Sequence, residues 1–360
     1  MYIQPLEAAK MAVDTMMRKF PAAELPPKGR FHYHQGVFLS GVEHVYRLTG
    51  DERYIEYVRD WVNSVIDADG NITTWDPMQL DDIQPGILLY PLYRKYGDER
   101  YVKALHTLCP TVYRFPRCAG GGFWHKGTCA DQMWLDGLYM DGPICAEYGK
   151  MFGKPEYFDL VAEQILLMDK YTRDEKTGLM YHAWDSLRKM PWADPETGRS
   201  PEFWGRAMGW VGVAVLDDLE FFPEDHPARK EMTRVAFDLV KALLPWQTAD
   251  GRWCQVANKP DEAGNWPENS CSCLYAAAIY KGVRTGVFPK EWKEFADRGY
   301  RGVIGSLSVE NGDLMIGNVC IGTGVGDYQH YIHRPTSVND LHGVGAFLLM
   351  AAEAASAKAI

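Results

Sequence analysis

The sequence predicts an all-α protein, a closed (α/α)6 barrel formed by one catalytic domain over residues 1–360. The first observation is a repeated turn, because Gly50–Tyr54 reads GDERY and Gly97–Tyr101 repeats it. A repeat at this spacing accommodates one helical hairpin per unit. The second observation is that strongly apolar helices alternate with amphipathic helices along the chain. The third is that strand-like segments are few and short.

Six apolar helices form the predicted inner ring. Small residues at close spacing, such as Gly212 and Ala214 in the fourth helix, let the helix axes approach one another. A helix that is apolar most of the way round is buried. The six segments are Gly36–Leu48, Pro85–Tyr96, Leu138–Met151, Trp210–Phe222, Ser272–Arg284 and His342–Ala357.

Amphipathic helices between these segments form the predicted outer ring. Tyr54–Val65 carries apolar residues at i, i+3, i+4 and i+7, and residues 163–170 and 229–243 follow the same pattern. The helix Leu6–Phe20 is the expected outer partner of the first inner helix. An open helical solenoid is the alternative. A solenoid requires polar terminal caps, whereas the terminal helices here are as apolar as the central ones, so a closed ring is favoured.

Composition excludes some classes of partner. The chain is 46% hydrophobic and 24% charged, which is ordinary for a globular protein. Its formal net charge is −10, so it is a poor candidate for binding a nucleic-acid backbone, which requires a basic surface. An anionic small substrate remains compatible with this charge, because local basic groups can override the global sign.

The N-terminal segment and the cysteines point to a cytoplasmic protein. Residues 1–20 contain no apolar core of a secretory signal, and no apolar run approaches the roughly 20 residues that span a bilayer. The eight cysteines form no Cys-x-x-Cys pair, and several lie in apolar helices. They are expected to be reduced thiols in the core. The sequence does not indicate an oligomeric state.

Each predicted inner helix follows a polar, aromatic-rich motif. Because the helices alternate in direction, all six motifs are expected at one end of the barrel, where helix N-termini favour a bound anion. Tryptophan is abundant in the same segments, and an aromatic-walled cleft that carries carboxylates fits a carbohydrate site. The motifs occupy residues 32–35, 79–82, 131–136, 203–206, 268–270 and 339–342.

Three aspartates are candidates for acid–base chemistry. Asp136 lies in the apolar run Met133–Met140, where a carboxyl group is expected to have a raised pKa and to serve as a general acid. The alternative is that Asp136 caps the third inner helix. Asp81 and Asp82 offer a second carboxylate, one facing the cavity while the other caps a helix. Pairs of carboxylates are the usual equipment of glycoside chemistry.

Arg206, between Trp204 and Trp210, is the best candidate for holding a substrate carboxylate. Its guanidinium group can bind a planar anion through two hydrogen bonds, although a structural salt bridge is the alternative. His125 and His182 lie in tryptophan-containing loops and are candidates for orienting sugar hydroxyl groups.

A metal site and a cofactor are not predicted. His330 and His333 resemble a metal-binding pair, but the sequence offers no third ligand at helical spacing.

At these motifs the chain resembles the unsaturated rhamnogalacturonyl hydrolases, glycoside hydrolase family 105. The segments that read WLDGLYM and FWGR are the most specific of the matches. The matching residues occur in the family's order at 80–86, 132–140, 181–185, 203–206 with 209–210, and 338–347.

The resemblance implies an (α/α)6 barrel and hydration of a vinyl ether. The substrate would be a lyase-generated oligosaccharide that ends in a uronic acid with a C4=C5 double bond. By position, Asp136 is the general acid/base that protonates C4 and accepts a proton from the water that adds at C5, and Asp81 is a second catalytic carboxylate. The substrate-binding residues would be Tyr33, His34, His125, Trp134, His182, Trp204, Arg206 and Trp210.

The resemblance leaves the preferred substrate open. Ala207-Met208 stand where the family commonly has Gly-Asn, and the motif does not decide whether Tyr33 or His34 faces the sugar. Pectin-derived galacturonyl-rhamnose is the expected substrate. The alternatives are an unsaturated glucuronyl hydrolase acting on glycosaminoglycan or ulvan fragments, a sugar epimerase, and a non-catalytic sugar-binding protein. Contacts to the departing part of the substrate are expected from loops 115–130 and 255–270.

Overall fold

The protein, described by a computed structural model over residues 2–357, is an (α/α)6 barrel of alternating outer and inner helices. The domain prediction of 1–360 therefore extends beyond the described residues at both ends. In chain order the helices are α1 (Pro5–Lys19), α2 (Tyr33–Thr49), α3 (Glu52–Val65), α4 (Leu89–Tyr96), α5 (Glu99–Tyr113), α6 (Gly137–Phe152), α7 (Glu156–Thr172), α8 (Gly205–Phe221), α9 (Arg229–Leu243), α10 (Asn269–Arg284), α11 (Lys293–Gly305), α12 (Tyr328–Ile332) and α13 (Leu341–Ser356).

The inner ring is closed, as predicted. It consists of α2, α4, α6, α8, α10 and α13, and short 3₁₀ turns at Leu80–Asp82 and Gln84–Leu88 lead into α4. Neighbouring inner helices pack side by side from α6 through α8 and α10 to α13, and α13 packs directly on α2. Gly345 permits this closure, because a Cβ there would lie 2.7 Å from the backbone nitrogen of Phe38.

The repeated turn has the same geometry in both copies. Gly50 and Gly97 end α2 and α4 in the left-handed conformation, with φ of 67° and 66°, which glycine adopts without steric cost. Asp51 and Asp98 then cap α3 and α5, since each side chain accepts the backbone N–H of the residue two positions on. The motif therefore ends one helix with its glycine and begins the next helix with its aspartate.

The strands lie in the connections between helices and form three two-stranded antiparallel ribbons within the described residues. The ribbons pair β1 (Gln132–Trp134) with β2 (Ala183–Asp185), β3 (Ser308–Glu310) with β4 (Asp313–Met315), and β5 (Val319–Cys320) with β6 (Thr336–Ser337). The β1–β2 pairing places Trp134 opposite Ala183, beside His182. Among the helices in residues 2–357, none is long and apolar enough to cross a membrane.

Two carboxyl groups are buried where α6 packs on α8. Asp141 is 4% exposed and Asp218 is fully buried, and neither carboxylate oxygen of Asp218 has a hydrogen-bond partner among residues 2–357. Burial raises the pKa of Asp141 to about 7. Burial, followed by the charges of Asp217 and Asp141, raises the pKa of Asp218 well above its usual range.

Asp141 makes the barrel less stable as the pH rises. In the unfolded chain the carboxyl group ionises near pH 4, but in the folded chain it stays neutral up to about pH 7. The unfolding free energy therefore falls between these two values. Relative to the wild type, Asp141→Asn is expected to gain about 4 kcal/mol between pH 4 and pH 8. Urea denaturation at both pH values measures this change, and Asp225→Asn, at an exposed position, should show none.

Candidate active site

All six predicted motifs lie at the end of the barrel where the inner helices begin, as the sequence analysis expected. Asp136 directly precedes α6, Arg206 lies in the first turn of α8, and Tyr33 opens α2. The 3₁₀ turn Leu80–Asp82 leads into α4. This end of the barrel is called the mouth below.

A chain of hydrogen bonds links Asp136 to the short helix α12, which carries Tyr331. His182, fully buried, has its Nε2 atom 3.1 Å from Oδ2 of Asp136 and its Nδ1 atom 2.7 Å from the hydroxyl of Tyr331. The same hydroxyl accepts the backbone N–H of Gly326 at 3.2 Å. The three side chains therefore form one connected unit.

The partners of Tyr331 determine where the hydrogen atoms of this unit lie. Burial raises the pKa of Tyr331, so its hydroxyl stays protonated. The other group bonded to this hydroxyl among residues 2–357 is the Gly326 N–H, itself a donor, so Nδ1 of His182 is the acceptor to which the hydroxyl hydrogen is directed. His182 then carries its own hydrogen on Nε2 and donates it to Asp136. Tyr331 thus fixes the tautomer that binds the carboxylate.

The pKa of Asp136 is lower than that of an ordinary aspartate, and the prediction of a raised pKa was wrong. Burial raises it, but the hydrogen bond from His182, together with the electrostatic effects of His182, His125 and Arg206, lowers it by more. The apolar run around Asp136 describes only its neighbours in sequence, whereas these three groups arrive from other segments. The helix-cap alternative was also wrong, since Asp136 makes no capping hydrogen bond to α6.

Asp81 lies against the second histidine of the mouth. Its Oδ1 atom is 3.5 Å from Nε2 of His125, whose ring stacks on Trp134 at 4.5 Å between ring centres. Burial lowers the pKa of His125, although the charges of Asp81 and Asp136 oppose that effect. The imidazole therefore loses its proton more readily than an ordinary histidine, and the charges of both predicted catalytic carboxylates act on it.

Asp82 has a structural role beside Asp81. Its buried carboxylate lies 2.6 Å from Nδ1 of His32 and accepts hydrogen bonds from the backbone of Asp76 and the side chain of Gln79. It holds the loop that carries Asp81. The prediction that one of the pair faces the cavity fits Asp81, while Asp82 braces a loop instead of capping a helix.

Arg206 was predicted to hold a substrate carboxylate, but part of its guanidinium group is already hydrogen-bonded within the protein. Its guanidinium group stacks on Trp204 at 4.6 Å and donates to the carbonyl groups of Cys320 and Ile321 and to the hydroxyl of Ser270. Three of its five N–H groups are thereby used. Two N–H groups remain for a ligand, and the acid nearest to it, Glu268, is 3.9 Å away.

The structure separates Tyr33 from His34. The charges that act on the Tyr33 hydroxyl are those of Asp81, Arg206, Asp340 and Asp136, so this hydroxyl lies within electrostatic reach of both predicted catalytic carboxylates. The ring of His34 instead packs edge-on against His342 of α13. Of the two residues, Tyr33 is the one oriented towards the predicted sugar site.

Trp210 lies deeper in the barrel than the other predicted binding residues. It is 1% exposed and stacks on Tyr139 at 4.7 Å. Trp134 and Trp204, by contrast, both contact the ring of His182. The rings that border the catalytic candidates are therefore Trp134 and Trp204, whereas Trp210 packs in the core against Tyr139.

Two residues of the mouth were missed by the sequence analysis. Tyr331 lies between His330 and His333. The two histidines suggested only a metal-binding pair, and Tyr331 itself was not predicted as a site residue. Gln255 accepts the indole N–H of Trp204 and donates to the backbone oxygen of Tyr331. The glycine-rich run at 322–326 was the available signal, because such a run allows the backbone to approach a site closely.

Comparison with known proteins agrees with this geometry. The family model described as Glycosyl Hydrolase Family 88 matches residues 8–358. The structure of a glycoside hydrolase from family 105 of C. acetobutylicum ATCC 824 is 34% identical, with a TM-score of 0.92, and the match covers 97% of this chain and 99% of that chain.

Two further comparisons are more distant. The unsaturated rhamnogalacturonyl hydrolase YesR of Bacillus subtilis is 27% identical over 250 residues, 68% of each protein. The unsaturated glucuronyl hydrolase of Bacillus sp. GL1 is 17% identical, with a TM-score of 0.71 over 96% of this chain and 94% of that chain. At that identity, the second likeness shows the fold alone.

Proposed function

We propose that this chain, which belongs to the glycosyl hydrolase families 88 and 105, hydrolyses lyase-generated unsaturated galacturonyl-rhamnose from rhamnogalacturonan. The observation that carries the proposal is the pair of carboxylates, Asp136 and Asp81, whose charges both act on the ring of His125. We further propose that residues 1–360 act as one catalytic domain in the cytoplasm, on pectin fragments.

Asp136 is proposed to protonate C4 and then to accept a proton from the water that adds at C5. The product of this addition is a hemiketal, which opens to a ketone at C5. The hemiacetal left at C1 then releases the rhamnose. Every atom of water is accounted for, with one hydrogen at C4 and the hydroxyl at C5. Asp81 lies where it can orient the water or the sugar.

Because the pKa of Asp136 is low in the free protein, its carboxyl group must gain a proton before it can protonate C4. The uronate carboxylate is a second negative charge, and a like charge nearby raises the pKa of a carboxyl group. We propose that substrate binding therefore promotes protonation of Asp136. The remaining N–H groups of Arg206 and the hydroxyl of Tyr33 would hold the uronate.

The aglycone and its linkage distinguish this substrate from the glucuronyl alternative. Elimination removes the stereocentres at C4 and C5, so unsaturated galacturonate and glucuronate differ only in how C1 is linked. The likeness to YesR, which is named for rhamnogalacturonyl hydrolysis, favours the rhamnose-linked substrate. Glucuronyl hydrolysis is the second candidate.

The test follows the ultraviolet absorbance of the conjugated double bond. Purified protein is added to unsaturated galacturonyl-rhamnose and, separately, to unsaturated glucuronyl disaccharides. Faster loss of absorbance on the first substrate is the expected result. Faster loss on the second would transfer the mechanism to the glucuronyl substrate. No loss on either would reject hydration and favour the epimerase or sugar-binding alternatives.

Tyr331→Phe is expected to lower kcat about 10-fold and to change its pH dependence, with little effect on KM. Without the hydroxyl, His182 is free to carry its hydrogen on Nδ1, and it then no longer donates to Asp136. Rates measured against pH test this positioning role. Tyr328→Phe, on the same short helix but with an exposed hydroxyl bonded to the backbone of Ala263, is the matched control and should behave like the wild type.

A further inference from the structure

Three side chains converge where the first and last inner helices close the ring. His34 lies in the first turn of α2, Asp340 directly precedes α13, and His342 lies in its first turn. One ligand-type atom from each residue lies within 4.8 Å of the other two. We call this group the seam cluster.

The Nδ1 atom of His342 faces Asp340. Its Nε2 atom lies 3.0 Å from the backbone oxygen of Cys320 and therefore carries the hydrogen. Its Nδ1 atom lies 2.6 Å from Oδ1 of Asp340 but is not aligned with it as a hydrogen bond. The ring is fully buried. An imidazole nitrogen and a carboxylate oxygen at this distance require a proton or a metal cation between them.

His34 adds a second imidazole to the same place, with one ring nitrogen within 4.8 Å of the ligand atoms of Asp340 and His342. Its Nδ1 atom is buried and has no hydrogen-bond partner in residues 2–357. A buried polar atom without a partner is rare and costs stability. A proton shared between His342 and Asp340 would account for their short contact, but it would leave Nδ1 of His34 without a partner. A single cation bound by all three residues accounts for both features.

We propose that His34, Asp340 and His342 bind one divalent transition-metal ion, with Zn²⁺ the favoured species. Two imidazole nitrogens and one carboxylate oxygen form a donor set that suits zinc, with a fourth position left for water or a ligand. The ion would join α2 to α13 across the closure of the ring. Its role in fastening the fold does not depend on the proposed hydrolytic function.

Zinc titration of chelator-treated protein tests the proposal without an activity assay. We expect one bound ion per chain, measured by isothermal calorimetry and by elemental analysis after dialysis, and a rise in Tm on zinc addition. His34→Phe keeps the ring packing but removes a lone pair, so it should lose both the stoichiometric binding and the rise in Tm.

Two further variants are controls for the zinc titration. His333→Ala removes an exposed histidine away from the seam cluster and should bind zinc like the wild type. His34→Ala repeats the ligand loss in case phenylalanine disturbs folding, which the Tm of the metal-free protein will reveal. Failure of the wild type to bind one ion, or equal binding by the His34 variants, would overturn the proposal and leave a protonated His342–Asp340 ion pair.

Discussion

Asp136→Asn is expected to lower kcat/KM on the preferred unsaturated disaccharide by about 10⁴-fold, the upper end for general acid–base catalysis. The same carboxylate is proposed both to donate the proton at C4 and to accept one from water, so no step proceeds normally without it. The amide retains the shape of the side chain and an oxygen that can accept from His182. Initial rates from ultraviolet absorbance, with circular dichroism as the check on folding, measure the loss.

Asp141→Asn is the matched control for this experiment. It also removes a buried carboxyl group at α6, but Asp141 lies in the second turn of the helix, whereas Asp136 directly precedes it. It should keep wild-type kcat/KM while changing the pH dependence of stability. If Asp136→Asn retained more than about one-tenth of the wild-type rate, the acid–base role would have to move to Asp81 or His182.

Asp81→Asn is expected to lower activity and Asp82→Asn to lower stability, although the two residues are adjacent. Asp81 contacts His125 at the mouth, so its loss should cost about 10²-fold in kcat/KM and leave the unfolding free energy nearly unchanged. Asp82 satisfies His32, Gln79 and a backbone N–H inside the protein. Its loss should lower the unfolding free energy by about 3 kcal/mol.

Urea denaturation and steady-state rates, measured on both variants, separate these effects. A stable and active Asp81→Asn protein would remove Asp81 from the catalytic proposal. An Asp82→Asn protein with unchanged stability would show that the loop holds its shape without the carboxylate. Residual activity of folded Asp82→Asn molecules should exceed that of Asp81→Asn, because Asp82 is proposed only to position its neighbour.

The sequence was sufficient for the ring of helices and for the position of Asp136 at the start of an inner helix, because both depend on local patterns. Periodicity defines each helix, and an isolated charge in an apolar run is visible without a structure. The start of α4 was less predictable. A helix was expected from Pro85, but 3₁₀ turns occupy Gln84–Leu88, where Gly36 packs so closely that a Cβ would collide with the Gln84 side chain.

The electrostatics of the mouth could not be predicted from the sequence because the responsible groups are distant along the chain. The pKa of Asp136 depends on His182, which in turn depends on Tyr331, 149 residues further along. The orientation of Tyr33 and His34 is likewise set by His342 at the far end of the chain. These partners are too distant in sequence for a local pattern to include them. The direction of the Asp136 pKa shift and the packing of the two rings therefore became apparent only from the fold.

The direct packing of α13 on α2 has a consequence for how the protein is made. During synthesis, each hairpin emerges with one inner face uncovered, and the first inner helix has no partner on one side until the last has been translated. Contacts between opposite ends of a chain form slowly, since a long loop must close first. The ring around the mouth therefore closes only in the final step, and a ribosome-bound chain that lacks α13 would leave α2 uncovered on that side.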